Sequence, residues 1–459
     1  MSLTAYSDQS SGKRSKNKRF GNSGDRNPAK GEVHALLVAG DKGWYNYRHQ
    51  ADVAHAYHVL LDHGVPAKNI IVMMYDDIAT HDENPYKGKI FNSPNGPDVY
   101  AGLKIDYNGD SVTPENFLAV LRGDRDAVKG GNGRVIESNE NDRLFVFYAD
   151  HGATGLVAFP TDILTAKQLH DTLKDMHGNH KYGQLVFYLE ACEGGSMFRG
   201  ILEDDIDVYA VTSANYNEFA YGTYCENDLI PCFGDEFSVN WMEDSDRQDI
   251  NLETLGEQFE LVKGLTTHSH VRRYGNVSIG DEPQDINLET LGEQFELVKG
   301  LTTHSHVRRY GNVSIGDEPV GWFQGFRKNM LRTSESSTKL NKPRHRSMSW
   351  PSRDVKLMHL QKMKLLGVQS ATVNHEINRI QESYSFRRQL LEEKTSVRNL
   401  DCHDDVVRAF DSICIDINKH DYALMYMYVL NNLCIKFNDS AKIIKAMRTI
   451  CSETRDHFF

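Results

Sequence analysis

One stretch decides the fold, Leu185-Val-Phe-Tyr-Leu-Glu-Ala-Cys-Glu-Gly-Gly-Ser-Met197. Its apolar and aromatic half is typical of a strand that is buried on both faces of a parallel sheet. The paired glycines after it favour a sharp turn. Cys192 is therefore placed at the carboxyl end of a strand, where open α/β sheets carry their chemistry. A cysteine in this position is also typical of an inert core residue, because free cysteine is among the most buried residue types.

A second strand pattern favours the reactive interpretation. Arg143-Leu-Phe-Val-Phe-Tyr-Ala-Asp-His-Gly152 is another buried run, and it ends in His151 and Gly152. Because the carboxyl ends of parallel strands meet at one edge of a sheet, Cys192 and His151 are expected to lie close together there. A thiol beside an imidazole is the pair that makes a thiolate attack a carbonyl. Gly152 allows close approach of a substrate, and its N–H is a candidate oxyanion donor.

Strands and helices alternate along the first half of the chain, which predicts a mainly parallel α/β sheet. Further strands are predicted at residues 34–39, 70–75 and 208–213. Helices are predicted at residues 48–63, at 113–122 with Thr113 as cap and Pro114 in the first turn, and at 164–176 with Thr165 as cap.

Together these motifs resemble the legumain family of asparaginyl endopeptidases, also called vacuolar processing enzymes, which are caspase-like cysteine proteases. Three more stretches carry the resemblance: Gly43-Trp-Tyr-Asn-Tyr-Arg-His-Gln-Ala-Asp52, Tyr75-Asp-Asp77 and Val239-Asn-Trp-Met-Glu-Asp-Ser-Asp246. It covers residues 33–326 closely and the C-terminal segment less closely. The resemblance implies a caspase-like sheet flanked by helices, followed by a C-terminal all-α prodomain.

The resemblance also implies a cysteine endopeptidase, made as a zymogen, that cleaves protein or peptide substrates after Asn, and after Asp at acid pH. The catalytic residues it implies are Cys192 as nucleophile, His151 as proton shuttle, Asn46 as the group that orients the histidine, and Gly152. The substrate pocket it implies consists of Arg48, His49, Glu190 and Asp235. An Asn side chain carries both an acceptor and a donor, so a selective pocket needs both as well. No metal, cofactor, nucleic acid or membrane partner is expected.

Composition and charge divide the chain into four parts. A disordered basic tail is expected at 1–30, a peptidase domain at 31–326, a linker or activation segment at 327–374 and a helical prodomain at 375–459. The stretch 325–353 is rich in Ser, Lys and Arg, which predicts an exposed linker. Net charge is +5 for residues 1–30, −25 for 31–320 and +8 for 321–459. The basic C-terminal part is therefore expected to cover the acidic core near neutral pH as an intramolecular inhibitor.

Acid is expected to weaken that attraction, with self-cleavage after Asn374, Asn341 or Asn329. Within the peptidase part, residues 248–283 and 284–319 are identical. One copy of this repeat is expected to complete the sheet and the other to be extruded or loosely packed.

The seven cysteines leave an even number once Cys192 is set aside. Cys225 and Cys232 flank a short loop that they could close. The resemblance implies the further pairs Cys402–Cys434 and Cys414–Cys451, whereas the residues alone also permit four reduced cysteines on helices. Glycosylation sequons stand at Asn276, Asn312 and Asn438. The resemblance implies a lysosomal, vacuolar or secreted protein, although the N-terminus shows no signal-peptide core.

One departure from the family pattern concerns the pocket. The chain has Glu218-Phe-Ala220 where the family has Glu-Ser-Ser, which predicts weaker selection for Asn. Two other functions stay open, a catalytically impaired binding homologue and an enzyme resembling the glycosylphosphatidylinositol transamidase subunit. The latter would favour Asp-Thr-Cys before the nucleophile and a membrane anchor, and the sequence contains neither.

Overall fold

The computed structural model describes ten ranges of the chain: 31–247, 261–262, 265, 269–273, 290–302, 305–318, 320–325, 349–366, 371–387 and 394–451. The predicted tail at 1–30 lies outside the described residues. So do three predicted modification or cleavage sites, Asn276, Asn329 and Asn341.

A mainly parallel sheet forms the centre of the fold. The described strands are β1 (Val33–Ala39), β2 (Ile70–Met73), β3 (Arg143–Ala149), β4 (Gly152–Ala153), β5 (Leu156–Ala158), β6 (Ile163–Thr165), β7 (Gln184–Glu190), β8 (Val208–Thr212), β9 (Tyr221–Thr223), β10 (Gly234–Asp235), β11 (Ser269–Arg273), β12 (Ser305–Gly311) and β13 (Trp350–Pro351). Seven of them pair in the order β11-β12-β8-β7-β3-β1-β2. Every neighbouring pair is parallel except β12 with β8. The predicted α/β sheet is confirmed.

Helices cover both faces of this sheet. The described helices are α1 (Tyr47–Asp62), α2 (Pro114–Arg122), α3 (Ala166–Gly178), α4 (Glu236–Arg247), α5 (Leu291–Leu301), α6 (Gly321–Gln324), α7 (Val355–Leu365), α8 (Ala371–Arg387), α9 (Leu400–Ile413), α10 (Met427–Phe437) and α11 (Ser440–Cys451). Leu37 of β1 packs with α1, α4 and α5, whereas its neighbour Leu36 packs with α2 and α3. Because successive strand residues point to opposite faces, a continuous apolar run is what a sheet covered on both sides requires.

Threonine caps start two of these helices. Thr113 accepts a hydrogen bond from the Asn116 N–H, and Thr165 forms a capping box with Gln168. The prediction that the second helix includes Leu164 is wrong. Leu164 pairs with Val157 in β6, so the chain stays extended until the cap.

The second repeat copy completes the sheet. It supplies α5 and β12, and β12 pairs with β8. In the first copy, β11 pairs parallel with β12 so that Ser269 lies beside its duplicate Ser305. Val262 of the first copy is fully buried in the core. The expectation of an extruded or loosely packed copy is therefore wrong for the described part, because an open sheet edge accepts a further strand through its backbone groups.

The C-terminal helices form a bundle that rests on the peptidase part. Its core contains Val406, Met427 and Ile443, together with Ala153 and Leu156 from the hairpin that follows His151. The predicted boundary at 374/375 falls inside α8. None of the described helices is long and apolar enough to cross a membrane.

Candidate active site

The two strand ends singled out by the sequence lie side by side. β3 and β7 are neighbours, with Ala149 opposite Glu190. The loops that follow therefore carry His151 and Cys192 to the same edge. Gly152 lies so close to this second loop that a Cβ there would sit 2.4 Å from the Cys192 carbonyl oxygen. Only glycine permits this approach, which keeps the two loops in contact.

His151 is oriented by Asn46. Its Nε2 lies 3.0 Å from Asn46 Oδ1, and the Asn46 amide nitrogen donates to the Lys42 carbonyl at 3.0 Å. Because the amide oxygen can only accept, Nε2 carries the proton and Nδ1 is left as the basic nitrogen. Burial, and then the charges of Arg48 and Arg353, hold the pKa of His151 well below its usual range. The imidazole is neutral in this form.

Cys192 is also held in its neutral state. The residue is 1% exposed, and burial raises the pKa of its thiol. The positive charge of Arg353 and the Ala220 N–H, 3.4 Å from the sulfur, only partly oppose this rise. The structure therefore pairs a buried thiol with a neutral imidazole.

The turn after Cys192 depends on the second repeat copy. Glu193 has a left-handed backbone with φ 56°, and residues Gly194–Met197 form a short 3-10 helix. A Cβ at Gly195 would lie 2.0 Å from the Tyr310 hydroxyl of β12. The turn that follows Cys192 is thus supported from the duplicated segment.

A buried pocket of charged groups lies on one side of Cys192. Arg48 donates to Asp235 at 2.9 Å and to the Tyr45 carbonyl at 3.1 Å. Glu190 accepts from both the N–H and the hydroxyl of Ser238, at 3.1 and 2.8 Å. We name Arg48, His49, Asp52, Glu190 and Asp235 the pocket cluster. All five are at most 1% exposed.

Sequence reasoning missed Asp52 in this cluster. Its carboxylate accepts from the Asp235 N–H at 3.1 Å. It stands four residues after Arg48, so both lie on one face of α1. That spacing could have identified Asp52 from the sequence. Burial and the nearby Asp235 raise the pKa of Asp52 well above its usual range and that of Glu190 to about 8. Some pocket carboxyls are therefore neutral at pH 7 and can donate as well as accept.

The segment before α7 occupies the cleft. β13 pairs antiparallel with β9, with Trp350 opposite Gly222. The Ser352 N–H then donates to the Ala220 carbonyl at 2.8 Å, and Arg48 donates to the Ser352 hydroxyl at 2.6 Å. Trp350 and Ser352 are buried. The prediction of an exposed linker over 325–353 is wrong at its C-terminal end. There the edge of β9 provides backbone hydrogen-bond partners, which an apolar sequence pattern does not predict.

A second charged group lies near Cys192, since Arg353 and Glu193 both act on its thiol. Arg353 donates to the Gly152 carbonyl, and its guanidinium lies 3.6 Å from Glu193. Lys394 pairs with the same carboxylate oxygen, while Thr154 donates to the other oxygen at 2.9 Å. We name Glu193, Thr154, Arg353 and Lys394 the Glu193 cluster. Phe219 completes it, since both cations lie over its ring at 5.1 and 5.2 Å.

Four side chains, with His151 among them, could also hold a metal ion. Asp41, His49, Asp150 and His151 have ligand atoms within 4.8 Å of one another. Mixed imidazole and carboxylate sets of this kind suit zinc. Protons can replace a metal ion in part, because His49 is hydrogen-bonded to Asp41 and burial raises the pKa of Asp150 to about 8. Asp41 Oδ1, His49 Nε2 and Asp150 Oδ2 are nevertheless buried without a hydrogen-bond partner.

Two protein families match parts of the chain. Residues 33–284 and 280–326 match the Peptidase C13 family, and residues 364–451 match the legumain prodomain. The chain belongs to the Peptidase C13, or legumain, family. It is accordingly a cysteine-type endopeptidase that carries its own prodomain.

Two relatives illustrate the assignment to the legumain family, and one solved structure was also found. The chain is 40% identical to legumain of Rattus norvegicus over 449 residues, 92% of this chain and 94% of the relative. It is 48% identical over 260 residues to the vacuolar-processing enzyme delta-isozyme of Arabidopsis thaliana, 54% of this chain and 56% of the relative. Caspase-1 of Spodoptera frugiperda aligns with a TM-score of 0.28 at 11% identity, over 47% of this chain and 69% of that one.

The legumain-family cysteines form three disulfides in the structure, Cys225–Cys232, Cys402–Cys434 and Cys414–Cys451. Two of the predicted sequons are described. Asn438 ends α10 with an exposed side chain. The Asn312 amide nitrogen instead donates to Asp207 at 3.2 Å, so attachment of a glycan there requires this contact to break.

Asn374, one of the predicted self-cleavage positions, lies in the first turn of α8 and is half-buried. A protease cleft binds an extended backbone, which a helix does not offer. Cleavage after Asn374 therefore requires that this turn unwinds.

Proposed function

We propose that this chain is a latent endopeptidase that cleaves peptide bonds after Asn, and after Asp at acid pH. The observation that carries the proposal is the pocket cluster, in which the Arg48 donor and the Glu190 and Asp235 acceptors lie beside Cys192. An Asn side chain is the neutral group that matches one donor and one acceptor at once.

Cys192 is the proposed nucleophile. His151 takes the thiol proton, and the sulfur attacks the carbonyl carbon, whose oxygen becomes an oxyanion held by the N–H groups of Gly152 and Cys192. The C–N bond then breaks, His151 protonates the departing amine, and a thioester remains. Water activated by His151 hydrolyses this thioester and restores the thiol. Asn46 acts as the positioning residue for His151.

The pocket cluster also explains the proposed dependence on pH. In our proposal Arg48 donates to the carbonyl of the substrate amide, while the carboxylates accept from its NH₂ group. An ionised Asp has no N–H or O–H donor for the acceptors of the pocket cluster, and it would meet the Asp235 carboxylate that pairs with Arg48 with like charge. Protonated Asp offers a carbonyl and an O–H donor instead, so it fits in the same way once the pH is low enough.

The C-terminal part is the proposed intramolecular inhibitor. Ser352 accepts the Arg48 hydrogen bond that a substrate would need, and its carbonyl lies 3.5 Å from the guanidinium. Because the Ser352 carbonyl turns toward Arg48, it points away from the oxyanion donors. This orientation supports the proposal that the bound segment resists cleavage. Release then needs acid. Cleavage after Asn341 or Asn329 cuts the chain before Ser352 and makes release of the cleft segment permanent, whereas cleavage after Asn374 detaches only the helices that follow it, together with Lys394.

A lysosomal, vacuolar or secreted location fits this proposal. Three disulfides persist in oxidising compartments and are rare in the cytosol. One relative carries the name vacuolar-processing enzyme.

The test is digestion of a matched peptide set that carries Asn, Asp, Gln or Ala before one bond, followed by mass spectrometry. Chain held at about pH 4.5, within the range where carboxyls titrate, is expected to cleave after Asn first. Cys192→Ser and His151→Ala should each abolish cleavage. Equal cleavage at Gln or Ala, or full activity in either variant, would contradict the proposal.

A further inference from the structure

The segment in the cleft shows how a substrate backbone can run past Cys192. β13 lies antiparallel to β9, and the Ser352 N–H bonds to the Ala220 carbonyl at 2.8 Å. Ser352 also holds the place in the pocket cluster where the residue before a cleaved bond would sit. Arg353 therefore stands where the residue after that bond, called P1′, would sit.

Arg353 has three partners there. It donates to the Gly152 carbonyl, lies 3.6 Å from Glu193 and stacks 5.1 Å over the Phe219 ring. Its side chain is only 6% exposed. A carbonyl, a carboxylate and an aromatic face are the three groups that bind a cation best, and all three belong to the peptidase part.

The partners are held in place without Arg353. The Glu193 N–H donates to the Glu218 carbonyl at 2.7 Å, and Thr154 donates to one carboxylate oxygen at 2.9 Å. These contacts lie within the peptidase part and persist when the C-terminal part leaves. Departure of Arg353 and Lys394 then removes both cations from a carboxylate that is 0% exposed in the closed form. The carboxylate is then free to pair with another cation at the same place.

We propose that Glu193, Phe219 and the Gly152 carbonyl form a cation-binding subsite for the P1′ residue, and that the enzyme prefers Lys or Arg directly after the cleaved bond. This inference rests on the proposed function, because it assigns the residue that follows Asn. It also gives a role to Phe219, one of the two residues that depart from the family pattern: its ring faces the P1′ cation.

The test uses full-length chain activated at acid pH and peptides that differ only at P1′. Arg is compared with citrulline, which keeps the shape and loses the charge, and with Gln, Lys and Glu. We expect kcat/KM about tenfold higher for Arg than for citrulline, and lowest for Glu. This comparison needs no variant and stands even if a variant fails to fold.

Variants then assign the preference to residues. Glu193→Gln should bring the Arg-to-citrulline ratio near one, and Phe219→Ser should lower it in part. Glu137→Gln, an exposed carboxylate paired with Arg125, is the matched control and should keep the ratio.

Two results would each contradict the proposed subsite. One is equal kcat/KM for Arg and citrulline peptides, and the other is an unchanged Arg-to-citrulline ratio in Glu193→Gln. Failure to cleave after Asn with every P1′ residue would instead contradict the proposed function itself, so the two failures are distinguishable.

Discussion

Two buried charge clusters flank Cys192, and they differ in how they are built. The pocket cluster consists wholly of peptidase residues and is bonded within itself, as in the pair of Arg48 with Asp235 at 2.9 Å. The Glu193 cluster takes both of its cations, Arg353 and Lys394, from the C-terminal part. The first cluster is therefore permanent and suits recognition. The second exists only in the closed chain and suits latency.

The largest expected effect comes from breaking the permanent cluster. Arg48→Met leaves Asp235 buried without its cation, which should cost about 3–5 kcal/mol of the free energy of unfolding. It also removes the donor to the substrate amide, so kcat/KM for Asn peptides should fall on the order of 10³-fold. Thermal unfolding and peptide kinetics measure both. Arg125→Met is the matched control, since its pair with Glu137 is exposed and worth about 1 kcal/mol or less.

Breaking the Glu193 cluster should act in the opposite direction on activity. In Arg353→Met/Lys394→Met the intact chain keeps its pocket but loses the cations that hold the C-terminal part over Cys192. We expect Asn-peptide cleavage by intact chain near neutral pH to rise about thirtyfold or more. Lys419→Met, whose pair with Asp416 stays within the C-terminal part, serves as control. An unchanged neutral activity would show that this cluster does not hold the chain closed.

A histidine in the same interface should set part of the pH dependence. His403 Nε2 donates to the Thr154 carbonyl at 2.8 Å, whereas Nδ1 is buried without a partner. Burial lowers the pKa of His403 to about 4, although Asp404 beside it favours the charged form. Once the C-terminal part is released, an ordinary pKa of about 6.5 returns.

The released state thus binds more protons, so the His403 contribution to closure is complete above about pH 6.5 and is lost as the pH falls toward 4. His403→Gln keeps a donor for Thr154 but cannot titrate. It should slow release of the C-terminal part near pH 5 by about tenfold, measured by the appearance of peptidase activity. His180→Asn, an exposed site away from the interface, is the control. Equal release rates would exclude His403 as a sensor.

The smallest effect is expected when one copy of the repeat is deleted. Removal of residues 248–283 or of 284–319 gives the same chain, because the copies are identical. The remaining copy can supply β12 and the tyrosine that supports Gly195. Loss of β11 and of buried Val262 is offset by a shorter chain, so the melting temperature should move by less than about 5 °C. A large fall, or loss of Asn-peptide cleavage, would mean that both copies are structural.

The sequence predicted those parts of the molecule that depend on continuous burial. β3 and β7 are unbroken apolar runs, so their type, their parallel pairing and the meeting of His151 with Cys192 followed from the pattern. The Trp350–Arg353 segment gave no such signal, because it is held by backbone bonds to β9 and by single charged contacts. Lys394 meets Glu193 across 201 positions of the chain, and no local pattern encodes such a pair. The parallel pairing of β11 with its duplicate β12 could not be predicted either, since the strand of either copy could pair with β8.

The most direct test of the account is labelling of Cys192 by a thiol-reactive probe that carries an Asn side chain. We predict little labelling of intact chain near neutral pH, where Ser352 fills the pocket cluster, and stoichiometric labelling at Cys192 after acid release. Cys192→Ser should remain unlabelled throughout. Equal labelling of intact chain before acid treatment, or no labelling of folded chain after release, would contradict the account.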